Sequence, residues 1–130
     1  MRKLIFVIFL LISTLSLSKE YTYQNKEVNI KLLLLQEHKN YIKFKLFIDI
    51  LKDNSKLTYS GKAYLISSSE IDEDIYTHDA YHAKEYWYQK HNKCSLSIRI
   101  DDEEYKRVFL EFFNCRKKID LSNKMLKLKP

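Results

Sequence analysis

Three residue types that normally punctuate a chain are nearly missing here: 130 residues hold one glycine, one proline and two cysteines. A single glycine, Gly61, rules out a glycine-rich loop that cradles phosphate, and no serine stands in a glycine-flanked nucleophile elbow. With the only proline at Pro130, turns must rest on Asn, Asp, Ser and Lys. The cysteines are Cys94 and Cys115, and if they pair, no thiol is left for covalent catalysis. No internal repeat, low-complexity segment or interdomain linker interrupts the chain.

What is present begins with a leader. Arg2 and Lys3 open it, Leu4 to Ile12 is unbroken apolar sequence, and Ser16 and Ser18 are small residues at the two cleavage-specifying positions before Lys19. Residues 1–18 therefore read as a secretory signal peptide. A retained anchor helix is the alternative, but the apolar run falls short of the roughly 20 residues that span a bilayer. No cysteine near the cleavage site supports a lipoprotein. The expectation is one domain over residues 19–130, periplasmic or secreted, with no stable membrane span after cleavage.

Export makes the cysteines a candidate disulfide, since thiols that meet in an oxidising compartment bridge. Closing a loop of about 20 residues stabilises a fold by roughly 3 kcal/mol in the chain-entropy picture. The sequence between them reads as a β-hairpin: Leu96, Ile98 and Ile100 alternate with polar residues, Asp101–Glu104 turns, and Val108, Leu110 and Phe112 return. Facing Cys94 directly with Cys115 sets Ile98 against Glu111. Shifting by one pairs Leu96 with Phe112, Ile98 with Leu110 and Ile100 with Val108. An extra residue near Phe113–Asn114 reconciles that apolar register with a bridge.

Upstream, Val28, Ile30, Leu32 and Leu34 alternate with intervening residues, as do Ile42, Phe44, Leu46, Ile48 and Ile50. Turning at Gln36–Asn40 pairs Leu34 with Ile42 and Val28 with Ile48, and a second turn at Lys52–Lys56 pairs Ile50 with Leu57 and Phe44 with Ala63. Gly61 and Ala63 leave space in that face for a large side chain, or mark a β-bulge. Residues 67–82 are ambiguous: Ser67–Ser69 followed by Glu70–Asp74 suits a helix start, whereas Ile75, Tyr76 and Thr77 favour strand. A strand over 83–89, turning at Lys90–Asn92 onto the Cys94 strand, follows, and after the Cys94–Cys115 hairpin Ile119–Leu121 and Met125–Leu128 offer at most one or two short edge strands.

The formal charge of +6 falls to +4 once Arg2 and Lys3 are removed. The excess lies in a basic C-terminal extension from Arg116, where Arg116, Lys117, Lys118, Lys124, Lys127 and Lys129 face one acid, Asp120. Such a stretch touches anionic lipid or polysaccharide, or more simply protects an exposed edge strand from pairing. Export and the lack of a recognition motif argue against nucleic acid.

Three constellations carry possible chemistry. On a helix, His78 and His82 would share a face with Glu85 a turn further on, a workable zinc set, although the glutamate of a zinc-protease motif is missing from His78–His82. In a loop or strand the same residues diverge. Tyr86, Trp87 and Tyr88 are a candidate ligand-binding platform, because protruding aromatics suit sugars and proteins. The structural alternative puts Trp87 in the core beside Gly61 and Ala63 with the tyrosines half exposed. The acidic clusters Glu70–Asp74 and Asp101–Glu104 do not match a calcium loop and read as turns.

The expected fold is a mostly β domain, an antiparallel β-sandwich or meander of six to eight short strands with one intra-hairpin disulfide. An α+β fold with a short helix near 69–82 is the alternative. The expected function is a non-enzymatic, cofactor-free binding module for a protein or glycan of the cell envelope. The alternatives are an inhibitor presenting Asp101–Glu104 to a secreted or host hydrolase, and a metal-binding protein using His78 and His82.

Overall fold

The computed structural model describes residues 18–90, 94–115 and 124–130. They form β1 (Lys19–Gln24), β2 (Val28–Glu37), β3 (Tyr41–Ile50), β4 (Ser55–Glu73), β5 (Ala80–Lys90), β6 (Cys94–Asp101), β7 (Arg107–Phe113) and β8 (Lys124–Leu128). Each strand pairs antiparallel with its sequence neighbours. The first and last also pair, Tyr21 opposite Leu128 and Thr22 opposite Lys127, so the sheet closes into an up-and-down barrel.

Closure corrects the expected sandwich or open meander. Every strand offers one apolar stripe, and eight strands enclose an interior just wide enough for side chains to fill. Tyr21, Val28, Ile30, Leu32, Phe44 and Leu46 from the first strands meet Tyr86, Leu96, Ile98, Val108 and Leu110 from the later ones, all at most 2% exposed. Strand β1 had no counterpart in the period-two reading; its inward residues are Tyr21 and Tyr23. The run at Met125–Leu128, expected as an edge, is the closing strand, so its lysines do not guard an open edge. Polar-out, apolar-in patterning is the inverse of a membrane barrel.

The hairpin register over β6 and β7 is the shifted one: Leu96 faces Phe112, Ile98 faces Leu110 and Ile100 faces Val108. The extra residue is Asn114, which takes a φ of 57° just beyond β7 and turns Cys115 back to Cys94. The disulfide joins Cα atoms 4.4 Å apart and packs against the core.

The β2–β3 and β3–β4 registers differ from expectation by two residues. Leu34 faces Phe44 and Val28 faces Ile50; Phe44 faces Gly61 and Ile50 faces Ser55. The two offsets have different causes: the β2–β3 turn falls later along the chain, closed by the His38 N–H on the Tyr41 carbonyl at 2.9 Å, whereas the β3–β4 turn is tighter, with Asn54 at a φ of 57°. A shift of the β2–β3 ladder between Leu34 and Gln36 absorbs the spare residue. Because the offset is even, the inward-facing set is unchanged.

The helix considered near 69–82 is replaced by strand, and the described residues contain no helix. Glu70–Glu73, read as part of a turn, continues β4, and the turn follows at Asp74–Asp79. The β4–β5 ladder shifts between Leu65 and Ser67 and again between Ser67 and Glu70. Beyond these irregularities the hairpin passes the end of the β5–β6 ladder and lies against the outer face of β6, β7 and β8. Arg99 of β6 holds Glu70 at 3.2 Å, Arg107 of β7 holds Asp74 at 3.1 Å, and Tyr81 and Ala83 pack with Phe109 and Met125.

Residues 1–17 of the leader, the turn at His91 and Asn92, the strand considered at 119–121 and the basic residues Arg116–Lys118 lie outside the described residues.

Candidate functional site

Alternation along β5 splits the Tyr86-Trp87-Tyr88 triplet. Tyr86 is 2% exposed inside the barrel. Tyr88 also packs on the core, its ring edge-on to Phe44 at 5.0 Å. The space opened by Gly61 is taken by Tyr88, whose Cε1 lies 3.4 Å from where a Cβ would stand. Trp87, considered for that space, instead points outward.

On the outer wall Trp87 is one member of a row. Tyr64 of β4 stands directly opposite it, and Tyr41 of β3 stands opposite Tyr64, their ring centroids 6.0 Å apart. His38 stacks on Tyr41 at 4.4 Å. On the other side, β6 presents only Ser97 and Ser95, which are buried. Small residues there let Trp87 reach across the strand to Phe113 of β7, centroid to centroid 5.4 Å. The row His38–Tyr41–Tyr64–Trp87–Phe113 thus runs across five neighbouring strands of the wall. Tyr64 is 57% and Phe113 40% exposed, and Ile66, two residues from Tyr64 on β4, is also 57% exposed. Exposed aromatics grouped this way depart from the usual isolated surface apolar residue.

Of this candidate row, the sequence singles out Trp87 and does not point to Tyr41, Tyr64 or Phe113. These lie on three other strands, and only strand order and register bring them together. The usable signal was Ser95 and Ser97, two small outward residues beside an outward tryptophan.

Next to the row lies a charged cluster. Ser97 Oγ donates to Glu85 Oε2 at 2.7 Å. The Arg99 guanidinium is within 3.2–3.8 Å of Glu70, Asp72, Glu85 and Glu111. Four carboxylates to one cation leave a surplus of negative charge. Burial first, then the hydrogen bond to Glu85 and the nearby acids, raises Glu70; burial and Glu85 raise Asp72. Burial alone would raise Glu85 too, but hydrogen bonds from Glu70 and Ser97 and the Arg99 charge bring it below its ordinary value. Arg107 carries a second lock, 3.1 Å from Asp74, 3.3 Å from the fully buried Asp101, and 4.5 Å over the Tyr81 ring. The chemistry here is structural: two arginines fasten the distal hairpin.

The metal candidates are not assembled. His78 sits in the turn with a φ of 64° and its Nδ1 2.9 Å from Glu73. His82 is exposed on β5, and Glu85, on the opposite face of that strand, belongs to Arg99 and Ser97. Among the described residues no group of three or more His, Cys, Asp or Glu is placed to hold a metal ion.

The acidic turn is likewise engaged. Asp101 accepts the backbone N–H groups of Glu103, Glu104 and Lys106. Asp102 pairs with Lys84 at 3.2 Å and Glu104 with Lys106 at 2.6 Å, while Glu103 accepts the His82 N–H at 2.9 Å.

These features define a closed eight-stranded barrel, disulfide-bonded at one end, with an aromatic row on its outer wall. Comparison with protein-family models, curated proteins and solved structures finds no match.

Proposed function

We propose that this chain is an exported, non-enzymatic binding domain that holds a protein or glycan of the cell envelope on its outer aromatic row. The observation that carries the reading is the exposure of Tyr64 and Phe113 on either side of Trp87. Burying flat amphipathic rings against a partner recovers apolar area at low entropic cost. The disulfide accords with an oxidising compartment, as does the signal-like leader. The barrel interior is filled, so the recognition surface is outside it. The inhibitor reading has less support, because each carboxylate of Asp101–Glu104 already serves a partner within the domain.

The test is co-sedimentation of the mature domain with cell-envelope material from the producing organism. Wild type is expected to be retained, and Tyr64→Ala and Trp87→Ala to be released while keeping the wild-type circular dichroism spectrum. Equal retention of all three folded proteins would remove the row as the binding surface.

A further inference from the structure

The wall carrying Tyr41 and Tyr64 also carries an unbalanced charge. Outward residues of β3 are Tyr41, Lys43, Lys45, Phe47 and Asp49; those of β4 opposite them are Lys56, Thr58, Ser60, Lys62 and Tyr64. Asp49 faces Lys56, whereas Lys43, Lys45 and Lys62 face no acid in the β3–β4 ladder. Lys43 stands directly opposite Lys62 in the ladder, a like-charge placement that destabilises a sheet. Lys62 lies 4.9 Å over the Tyr41 ring, and across β3 Lys31 lies 5.3 Å over Phe47.

Structural explanations for these lysines fail. They do not guard an edge, because β3 and β4 are each paired on both sides. They do not offset a neighbouring acid, because the surplus carboxylates gather around Arg99, on the other side of the Tyr64–Trp87 pair from Lys62. Solubility is served as well by mixed signs, without the cost of opposing like charges.

We infer that the Lys43–Lys45–Lys62 cluster and the adjoining Tyr41–Tyr64–Trp87 rings form one binding surface for an anionic polysaccharide. The inference rests on the proposed function and narrows its partner to a linear glycan bearing carboxylate or sulfate groups. Lysines supply the charge complement, and ring faces stack on the apolar faces of sugars. Lys43 and Lys45 are two residues apart on one face, a spacing of about 7 Å along the strand, on the scale of a sugar unit. The rings and lysines lie along a wall, not at a protruding tip, which suits an extended polymer better than a bilayer. The disulfide accords with an oxidising compartment, where nucleic acid is scarce.

The experiment uses polygalacturonate as the probe and the emission of Trp87, the only tryptophan, as the readout. The mature domain is expected to show a saturable emission change that weakens with added salt. Combining Lys43→Gln, Lys45→Gln and Lys62→Gln is expected to weaken binding at least tenfold, with the melting transition retained. Calorimetry on Trp87→Ala and Tyr64→Ala separates the two claims. Binding that depends on the rings but not on the lysines, and is matched by a neutral glucan, overturns the anionic partner and keeps the aromatic row. Binding that depends on the lysines alone keeps the polyanion and overturns the row. Tighter binding to phosphatidylglycerol vesicles or to oligothymidylate than to polygalacturonate, or no binding to polygalacturonate, overturns the inference.

Discussion

Trp87 and Phe113 meet as tilted rings 5.4 Å apart across a strand to which neither belongs. The contact exists because β6 offers only buried serines between them, Ser97 beside Trp87 and Ser95 beside Phe113. Larger side chains at these serines would part the rings and detach Phe113 from the end of the row. The same strand alternation sends Tyr86 and Tyr88 inward, so one segment contributes to both the core and the outer aromatic row.

That division predicts opposite outcomes for neighbouring substitutions. Tyr86→Ala opens the filled interior and is expected to cost about 3–5 kcal/mol, as other large-to-small aromatic core changes do. Tyr64→Ala loses at most ring contacts on the surface, about 0.5–1.5 kcal/mol. Denaturant melts of the two proteins check this; equal losses would place Tyr64 in the core.

The disulfide is the second lever. Replacing Cys94 and Cys115 by serine is expected to lower stability by roughly 3 kcal/mol, with the barrel still formed. Urea transitions with and without reductant measure it, and an unchanged midpoint would show that the bridge adds nothing.

Gly61 sits at a φ of 141°, where side chains are rarely found, and Tyr88 closes over it. Gly61→Ala is expected to destabilise by about 1–3 kcal/mol through backbone strain. The added methyl lies 3.4 Å from Tyr88 Cε1, an ordinary contact, so crowding is not the cause. A thermal melt that matches wild type would contradict the strained conformation.

The distal hairpin is expected to respond to pH in two directions. Glu70 and Asp72 are raised in the fold, so they favour it below their ordinary values of 4.5 and 3.8, and this contribution is lost as pH rises through the raised values. Asp74 is lowered: burial would raise it, but the Tyr76 and Thr77 N–H groups with Arg107 and Lys127 outweigh that. Its contribution is present above 3.8 and lost as pH falls through the lowered value. Glu70→Gln is therefore expected to stabilise at neutral pH and to lose that advantage in acid. Asp74→Asn is expected to cost about 1.5–3 kcal/mol at neutral pH and progressively less in acid. Parallel melts across the pH range, with the two variants moving the same way, would refute this assignment.

Much of the barrel was legible in the sequence because period-two alternation fixes which side chains face inward, whatever the register. Ile30, Leu46 and Ile98 are inside on either register, and the β6–β7 pairing followed from apolar matching alone. Closure was not legible, since it depends on short strands at the two ends of the chain, where Tyr21 meets Leu128. The His38–Tyr41 turn falls later along the chain than composition suggested, and the turn ending at Asn54 is two residues tighter. Tyr41, Tyr64 and Phe113 joined Trp87 only through strand order, which alternation does not encode. The opposition of Lys43 and Lys62 was hidden by the two-residue offset of the β3–β4 register.

Position-specific photocrosslinking tests the account most directly. A benzophenone amino acid at position 64, 113 or 22 is irradiated with the producing organism's envelope material. The account predicts adducts from positions 64 and 113 and none from 22, because Thr22 lies on β1, away from the row. Adducts from position 22 alone, or equal yields from all three, would contradict it.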